Sequence, residues 1–578
     1  MGAARLYKTG HPYNATDLVE IDYAQTADVV YFGHLNYPPE KLVRAGHTDW
    51  TFSEVTFGPV LAAPVGLVAT ANVVNNDDTL SNGDPNLNSQ YYPLAKAYAV
   101  ASVNSAGQES RLSATSTATN DLTLKGNNNS LAWTADADAE YYNIYAQGNA
   151  SLSMGYLGRA ETNAFVDGDG GIDPDYSDGP RIGTNPFVGD DNYPSTLTFH
   201  QQHLVWGRTR NKPNGVFVSF AADFENMDRS RPGKPDDAFT FALVSERVNA
   251  VNQLASTNQL LALTSDGIFS VAGTDGAVLT ATAPETKRQI GIGCSRLDPL
   301  VIDETLLFRP NQGSSVRALG YTFEIDGFRS NNVAIFSPHL FNGFEVIAWA
   351  YQREPFSCVW AVRSDGKLLC LTWEPEQQVF GWSLCEMSGT VEGITVITEQ
   401  GMDRVYLAVR RTLAGVESVF IERMALPLLV AADLADACYL DCAVTQKTDD
   451  PTNTITGLWH LEGESVSAFA DGYVIEGLTV EDGSVTLEFE ATTITVGIPY
   501  SGEIETLPLA LGSRHVDWQS IDKVVVRVKD TRGISIGPGA NGALTQPPMQ
   551  EVKQRETEEL DQPIALKTGD FPMNLSSK

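Results

Sequence analysis

Apolar and polar positions alternate with a period of two along most of the chain. In Val485-Thr486-Leu487-Glu488-Phe489-Glu490 the apolar side chains share one face and the polar ones the other, the pattern of a half-buried strand. Val524-Val525-Val526-Arg527-Val528-Lys529 does likewise, with Val524, Val526 and Val528 on the buried side. Two segments spell hairpins. Leu260-Leu261-Ala262-Leu263 enters Thr264-Ser265-Asp266-Gly267 and leaves through Ile268 to Val271; Val359-Trp360-Ala361-Val362 enters Arg363-Ser364-Asp365-Gly366 and leaves through Lys367 to Trp373. Asp-Gly between apolar runs marks a tight turn, because glycine takes the positive φ the turn demands. Further strand pairs are predicted at 197–206 with 215–220, 299–308 with 315–323, and 404–410 with 416–423. The only serious helix candidate, 246–262, is also compatible with β structure.

Five hairpin-like units between about 195 and 425 recur roughly every 50 residues, the spacing of four-stranded propeller blades. Stacked sandwiches are the competing arrangement. Residues 61–180 read differently. Ala97-Tyr98-Ala99-Val100-Ala101-Ser102-Val103-Asn104 and the turn after it resemble a fibronectin type III strand. Leu131-Ala132-Trp133 followed by Tyr141-Tyr142-Asn143-Ile144-Tyr145 resembles that fold's Trp strand and its neighbour, although the Trp strand normally comes first. The expected fold is therefore all-β: a β-propeller core, an inserted fibronectin type III or immunoglobulin-like sandwich, and a further small β domain. The predicted boundaries are 1–60 for N-terminal strands contributing to the propeller, 61–180 for the insertion and 181–425 for the core. Residues 426–530 form the small β domain, and 531–578 an extended C-terminal segment.

Composition sharpens this picture. The 578 residues carry 72 acidic and 39 basic side chains, a formal net charge of −33. That sign opposes holding nucleic acid through its phosphates, which takes clustered Lys and Arg. The acid is spread along the chain, as on a solvated surface. A hydrophobic fraction of 42% is enough for several cores. Six cysteines, at 294, 358, 370, 385, 438 and 442, sit mostly in apolar runs and are expected to be buried free thiols. Met1 to Gly10 has no apolar core of signal-peptide length, and no run approaches the ~20 apolar residues of a membrane helix. The expectation is a soluble product made in the cytosol, without membrane insertion.

Few constellations could carry chemistry. Asp167, Asp169, Asp173 and Asp175 could offer alternate carboxylates to calcium, but Ile172 and Asp178 stand where a calcium loop wants Gly and Glu. A solvated linker is the favoured reading. Cys438 and Cys442 lack a second pair at zinc-finger spacing. His200 and His203, three apart on one apparent strand, would point to opposite faces. Gly537-Pro538-Gly539-Ala540-Asn541-Gly542 matches a dinucleotide motif by letter, yet Pro547-Pro548 follows and no helix can open there. It reads as a turn. No nucleophile elbow or phosphate loop occurs. Ser265-Asp266-Gly267 and Ser364-Asp365-Gly366 only mimic the repeat of glycan-cleaving propellers, lacking its spacer and Trp. No catalytic residues, cofactor or metal are expected.

Taken in order, many short stretches resemble the tail nozzle, or tail tubular protein B, of short-tailed bacteriophages. They are Tyr23 to Val30, Tyr37-Pro38-Pro39 to Leu42, Trp50, Asn192-Tyr193-Pro194-Ser195, Phe199 to Trp206, and Ala222-Asp223-Phe224-Glu225-Asn226. Thr264 to Gly267, Val359-Trp360 through Gly366, Phe420-Ile421-Glu422-Arg423, His460-Leu461-Glu462-Gly463 and Val496-Gly497-Ile498-Pro499-Tyr500 complete the set. The resemblance implies a propeller-based virion subunit, six copies of which form a ring below the tail adaptor. The bore would conduct the phage genome without binding it specifically and retain it before infection. Tail adaptor, tail fibre or tail needle proteins and further copies of the chain are the implied partners. The alternative is a secreted or virion-associated propeller that binds or cleaves host-surface glycans.

Overall fold

The computed structural model describes residues 10–75, 92–148, 153–168, 170–244, 249–323, 327–427, 431–506, 523–537, 549–552 and 562–574. Among them the chain is almost entirely antiparallel β, in two compact units, Met1–Phe336 and Ser337–Lys578. The segment 181–425 is thus divided between two units. No described helix is long and apolar enough to cross a membrane.

The first unit holds four four-stranded meanders in which each strand pairs with the next in sheet order, at 22–54, 196–242, 251–290 and 300–332. Why the strands read as they do follows from how these sheets bury one another. On strand His203–Gly207, Leu204 and Trp206 join a core with Tyr31 of the N-terminal sheet, while Val205 joins one with Val251, Leu254 and Leu260. On strand Leu260–Thr264, Leu260 and Ala262 belong to that second core; Leu261 and Leu263 belong to a third, with Leu306, Phe308 and Leu319. A strand covered on both faces needs apolar residues at every position. That is why Leu260 to Leu263 is an unbroken apolar run, and why it is a blade strand and not a surface one.

The second unit begins with a four-stranded meander at 346–385 and a three-stranded sheet at 390–423. They enclose a core of Val362, Leu368, Val391, Val405, Leu407 and Val409. Gly366 takes φ +80°, and a side chain there would meet the Thr390 Cβ at 2.7 Å, so the Asp365-Gly366 turn needs glycine for both conformation and space. Trp360 and Trp373 lie in this one meander but on opposite faces, since Trp360 pairs with Cys370 and Trp373 with Phe380. A separate sheet at 441–498 packs Ile455, Leu461, Val466, Val485, Leu487 and Ile494 together. Lys523–Thr531 pairs with Lys567–Asn574 in a ribbon, so the predicted boundary at 530 cuts through a strand pair, and part of the C-terminal segment is paired.

Between the N-terminal sheet and the next meander sits the insertion, a two-sheet sandwich. One sheet runs Gly155–Ala160, Tyr141–Gln147, Leu94–Val103, Ser116–Asn120; the other runs Ala164–Asp167, Asn128–Ala132, Val68–Asn72. These are the C′-C-F-G and E-B-A sheet neighbours of a fibronectin-like sandwich. The chain traverses them in another order, with the hairpin 94–120 placed ahead of the Trp strand. Sheet neighbours are kept while connections change, which accounts for the inverted order of motifs in the sequence. Trp133 and Tyr142 meet edge to face at 5.1 Å in its core.

Three expectations are corrected. The helix candidate 246–262 contributes two strands, Val251–Ser256 and Leu260–Thr264, with 245–248 outside the described residues. Residues 197–206 and 299–308 are not single strands but hairpins, turning at Gln201-Gln202 and Asp303-Glu304. His200 and His203 therefore pair directly across a turn and share a face.

Candidate functional site at the convergence of first strands

In the first unit the opening strands of successive meanders converge. Asp22–Thr26, Thr196–His200, Val251–Ser256 and the residues just before Leu300–Ile302 line an open cleft of about 370 Å³, with Asp22, Gln25, Leu197, Phe199, Gln253 and Asp298 among its walls. Its polar groups tie one sheet to the next. The Asp22 carboxylate accepts from the Tyr23 amide at 2.8 Å and from the Leu197 amide, on the neighbouring meander, at 3.0 Å. Gln253 donates to Asp298 at 2.6 Å and to the Arg296 carbonyl at 2.7 Å, and accepts from the Thr196 hydroxyl at 3.1 Å. Burial, with Asp298 beside it, pushes Asp22 up to about 8. Asp22 is buried beneath this cleft, whereas Asp298 stands exposed at its edge.

A second tie flanks the cleft. Glu225 accepts from Lys41 at 2.7 Å and from the Tyr31 hydroxyl at 3.0 Å, and Phe224 packs edge to face on Phe199 at 5.0 Å. Segments far apart in sequence, 22–42, 192–206 and 222–228, are thereby held at one junction.

The sequence-predicted candidates lie elsewhere. Asp167 is fully buried in the sandwich, where its carboxylate accepts from Lys96 at 2.8 Å, Tyr98 at 2.7 Å and the Ile172 amide at 2.8 Å. It is an internal ion-pair partner. Asp175 accepts from the Ser177 amide and hydroxyl, and Asp169 lies outside the described residues. Among the described residues no group of three or more His, Cys, Asp or Glu could hold a metal. His200 and His203 are both buried and each is held through Nδ1, to the Ser256 hydroxyl at 2.9 Å and the Ser219 carbonyl at 2.7 Å. Burial and His203 push His200 down to about 4, so it stays neutral near pH 7. All six cysteines are unbridged; Cys294 and Cys442 are buried and the other four half-buried. Of the glycine motif at 537–542, all but Gly537 lie outside the described residues. Asp22 and Asp298 went unremarked as a pair because nothing in their spacing signals that both reach one cleft.

A related strain sits in the N-terminal sheet. Glu40 is 8% exposed and faces Glu54 directly across the sheet, and burial followed by Glu54 pushes it up to about 7. Because its folded value lies above its unfolded one, the stability it contributes is full below about pH 4.5 and is lost as pH rises through 7. Glu40→Gln should therefore raise the melting temperature at pH 8 by about 2–4 °C and coincide with wild type near pH 4, as read by calorimetry.

No family model and no curated protein matches this chain. Solved structures similar to it include the RRP9 WD40 repeats, with 10% identity, a TM-score of 0.29, and 69% of this chain and 88% of that one covered. YCF48 bound to D1 peptide gives 12%, 0.28, 71% and 93%. A putative 6-phosphogluconolactonase from Bacteroides fragilis gives 8%, 0.24, 59% and 97%. Superpositions this loose convey nothing about what this chain does.

Proposed function

We propose that the chain is a structural subunit of a short-tailed phage nozzle, a ring-forming DNA conduit without catalytic residues. The observation that carries this reading is the junction just described. The stretches on which the resemblance rests in the first half of the chain, 23–42, 192–206 and 222–226, meet around Glu225, Phe199 and Asp22. A ring of such subunits would sit below a tail adaptor in the virion, contact tail fibre or needle proteins, and let the genome pass. Negative-stain microscopy of the purified chain, with and without adaptor, should show rings with an axial channel. Persistent monomers in the presence of adaptor would overturn the reading, and so would polysaccharide cleavage that a single point mutant abolishes.

Net charge gives a second test. Each subunit carries −33, and duplex DNA bears a phosphate charge about every 1.7 Å of axis. A wall pairing with phosphates would brake the genome, whereas one of like charge keeps it hydrated, with repulsion screened beyond roughly 8 Å at physiological salt. Filter binding or anisotropy should detect no duplex affinity at 0.15 M salt, a screening regime with a Debye length of about 8 Å. Tight binding would sever acidity from transport.

A further inference from the structure

We propose that the free edge of the three-stranded sheet at 390–423 is a docking surface for a second copy of the chain, joined by antiparallel pairing of strand Val416–Arg423 with itself. The meanders at 22–54, 196–242, 251–290, 300–332 and 346–385 each have a fourth strand outside the third. This sheet stops at three, and among the described residues no segment pairs with its last strand. Nor is that edge protected in the usual ways, by proline, lysine or a bulge. The outer strand Pro284–Ile290 carries Pro284, Lys287 and Arg288. Val416–Arg423 has neither proline nor lysine and runs against Met402–Leu413 without a register shift.

The turn fixes which groups face outward. Ala414 and Gly415 take φ of 48° and 77°, so a two-residue loop closes the hairpin with Leu413 and Val416 as a hydrogen-bonded pair. Alternation then points the main-chain N–H and C=O groups of Glu417, Val419, Ile421 and Arg423 to the free edge. Their side chains share the solvent face, where Val419 is 45% and Ile421 74% exposed. On the other face Phe420 packs on the core of the 441–498 sheet and Glu422 is held by Arg411. Two aliphatic side chains between an acid and a base make the solvent face self-complementary. Turned antiparallel about Phe420, Glu417 of one copy stands opposite Arg423 of the other, and Val419 opposite Ile421, each pair occurring twice. Every outward main-chain group then finds a partner. Centring on Val419 would set Glu417 against Ile421, and centring on Ile421 would set Arg423 against Val419, so the charges select one register. Glu417 already pairs with Arg410 at 3.2 Å and Arg423 with Glu399 at 3.1 Å, which extends the contact into a row of alternating charge. Such a contact is isologous and cannot by itself close a ring, so it goes beyond the nozzle reading and does not depend on it.

The test is sedimentation velocity of the purified full chain without adaptor. It should show the chain, or the ring it forms, in reversible equilibrium with a species of doubled mass, concentration-dependent because one strand pair is a small interface. Ile421→Lys, at an exposed side chain, should raise the dissociation constant by about tenfold or more. Glu417→Arg and Arg423→Glu should each do the same, because like charges then face each other across the two-fold axis. An equimolar mixture of these two variants should pair again, since each meets the opposite charge in the other, and melting temperatures near wild type show that all three fold. Absence of a doubled species in the wild type would overturn the proposal, as would doubling indifferent to Ile421→Lys or a charge-variant mixture that stays apart. Val419 and Ile421 amides already protected from hydrogen exchange at dilutions where no doubling occurs would overturn it too, assigning the edge to another segment of the same chain.

Discussion

Trp206→Ala should cost the first unit about 3–5 kcal/mol, enough to leave it aggregated or unassembled on expression. Trp206 has no exposed surface and lies on strand His203–Gly207, every residue of which is buried. Its ring meets Phe187 at 5.7 Å, Phe57 at 6.2 Å and Tyr31 at 6.5 Å, so it fills the space between the N-terminal sheet and the next meander. Removing it opens a cavity shared by two sheets, and a sheet cannot collapse into a void without breaking its ladder. A folded domain holds only about 5–15 kcal/mol in total. Trp206→Phe should be far milder, because the indole N–H is buried without a hydrogen-bond partner and its loss recovers a desolvation cost. Trp459→Ala, at a side chain 70% exposed, is the control and should shift stability by less than about 0.5 kcal/mol. Denaturant midpoints of the three variants order these expectations. Equal midpoints for Trp206→Ala and Trp459→Ala would mean that the two sheets do not depend on this contact.

The all-β architecture and its blade spacing were legible because period-two patterning and Asp-Gly turns are local signals. The turns that escaped are those made without glycine. Gln201 and Asp303 take φ of 52°, a conformation that non-glycine residues adopt reluctantly, so 197–206 and 299–308 looked continuous. Reading His200 and His203 onto opposite faces was the direct result. The fibronectin-like strands were legible one by one, but their order is a property of connections, which periodicity does not encode. The carboxylate junction was not legible at all. Asp22 and Asp298 are joined only by the stacking of four sheets, a long-range consequence of burial on both faces. The same holds for Asp167, whose acid-rich surroundings suggested a solvated loop while its Lys96 partner lay 71 residues away in sequence. Isolated acids in a chain this acidic carry little information until the fold shows which are dry.

Arg111→Ala should destabilise the first unit by about 3–5 kcal/mol, more than Asp228→Ala does, although Arg111 is the more exposed partner. The pair joins the sandwich to the segment 222–228: Arg111 grips Asp228 with two hydrogen bonds of 2.8 Å, and the Thr184 amide adds a third at 3.1 Å. Asp228 is wholly buried while the Arg111 side chain is 42% exposed. When the arginine is removed, the carboxylate keeps one donor and cannot reach water. When the aspartate is removed, the guanidinium swings into solvent and the loss is limited to the contacts and the Thr184 amide. A nearby clamp does not compensate for either change. Arg181 lies 3.5 Å from Glu109 and 3.8 Å from Asp237, ion-pair contacts too long to bond its Nε and Nη1, which have no hydrogen-bond partner. The double variant Arg111→Met with Asp228→Leu removes both charges together and should recover most of the loss, since an apolar pair of similar volume carries no desolvation cost. Urea midpoints rank the variants, and limited proteolysis near 61–67 and 181–186 shows whether the sandwich has come loose. If Asp228→Ala proved the more damaging, with cleavage appearing in it alone, the junction would depend on the acid's backbone contacts and not on the buried charge.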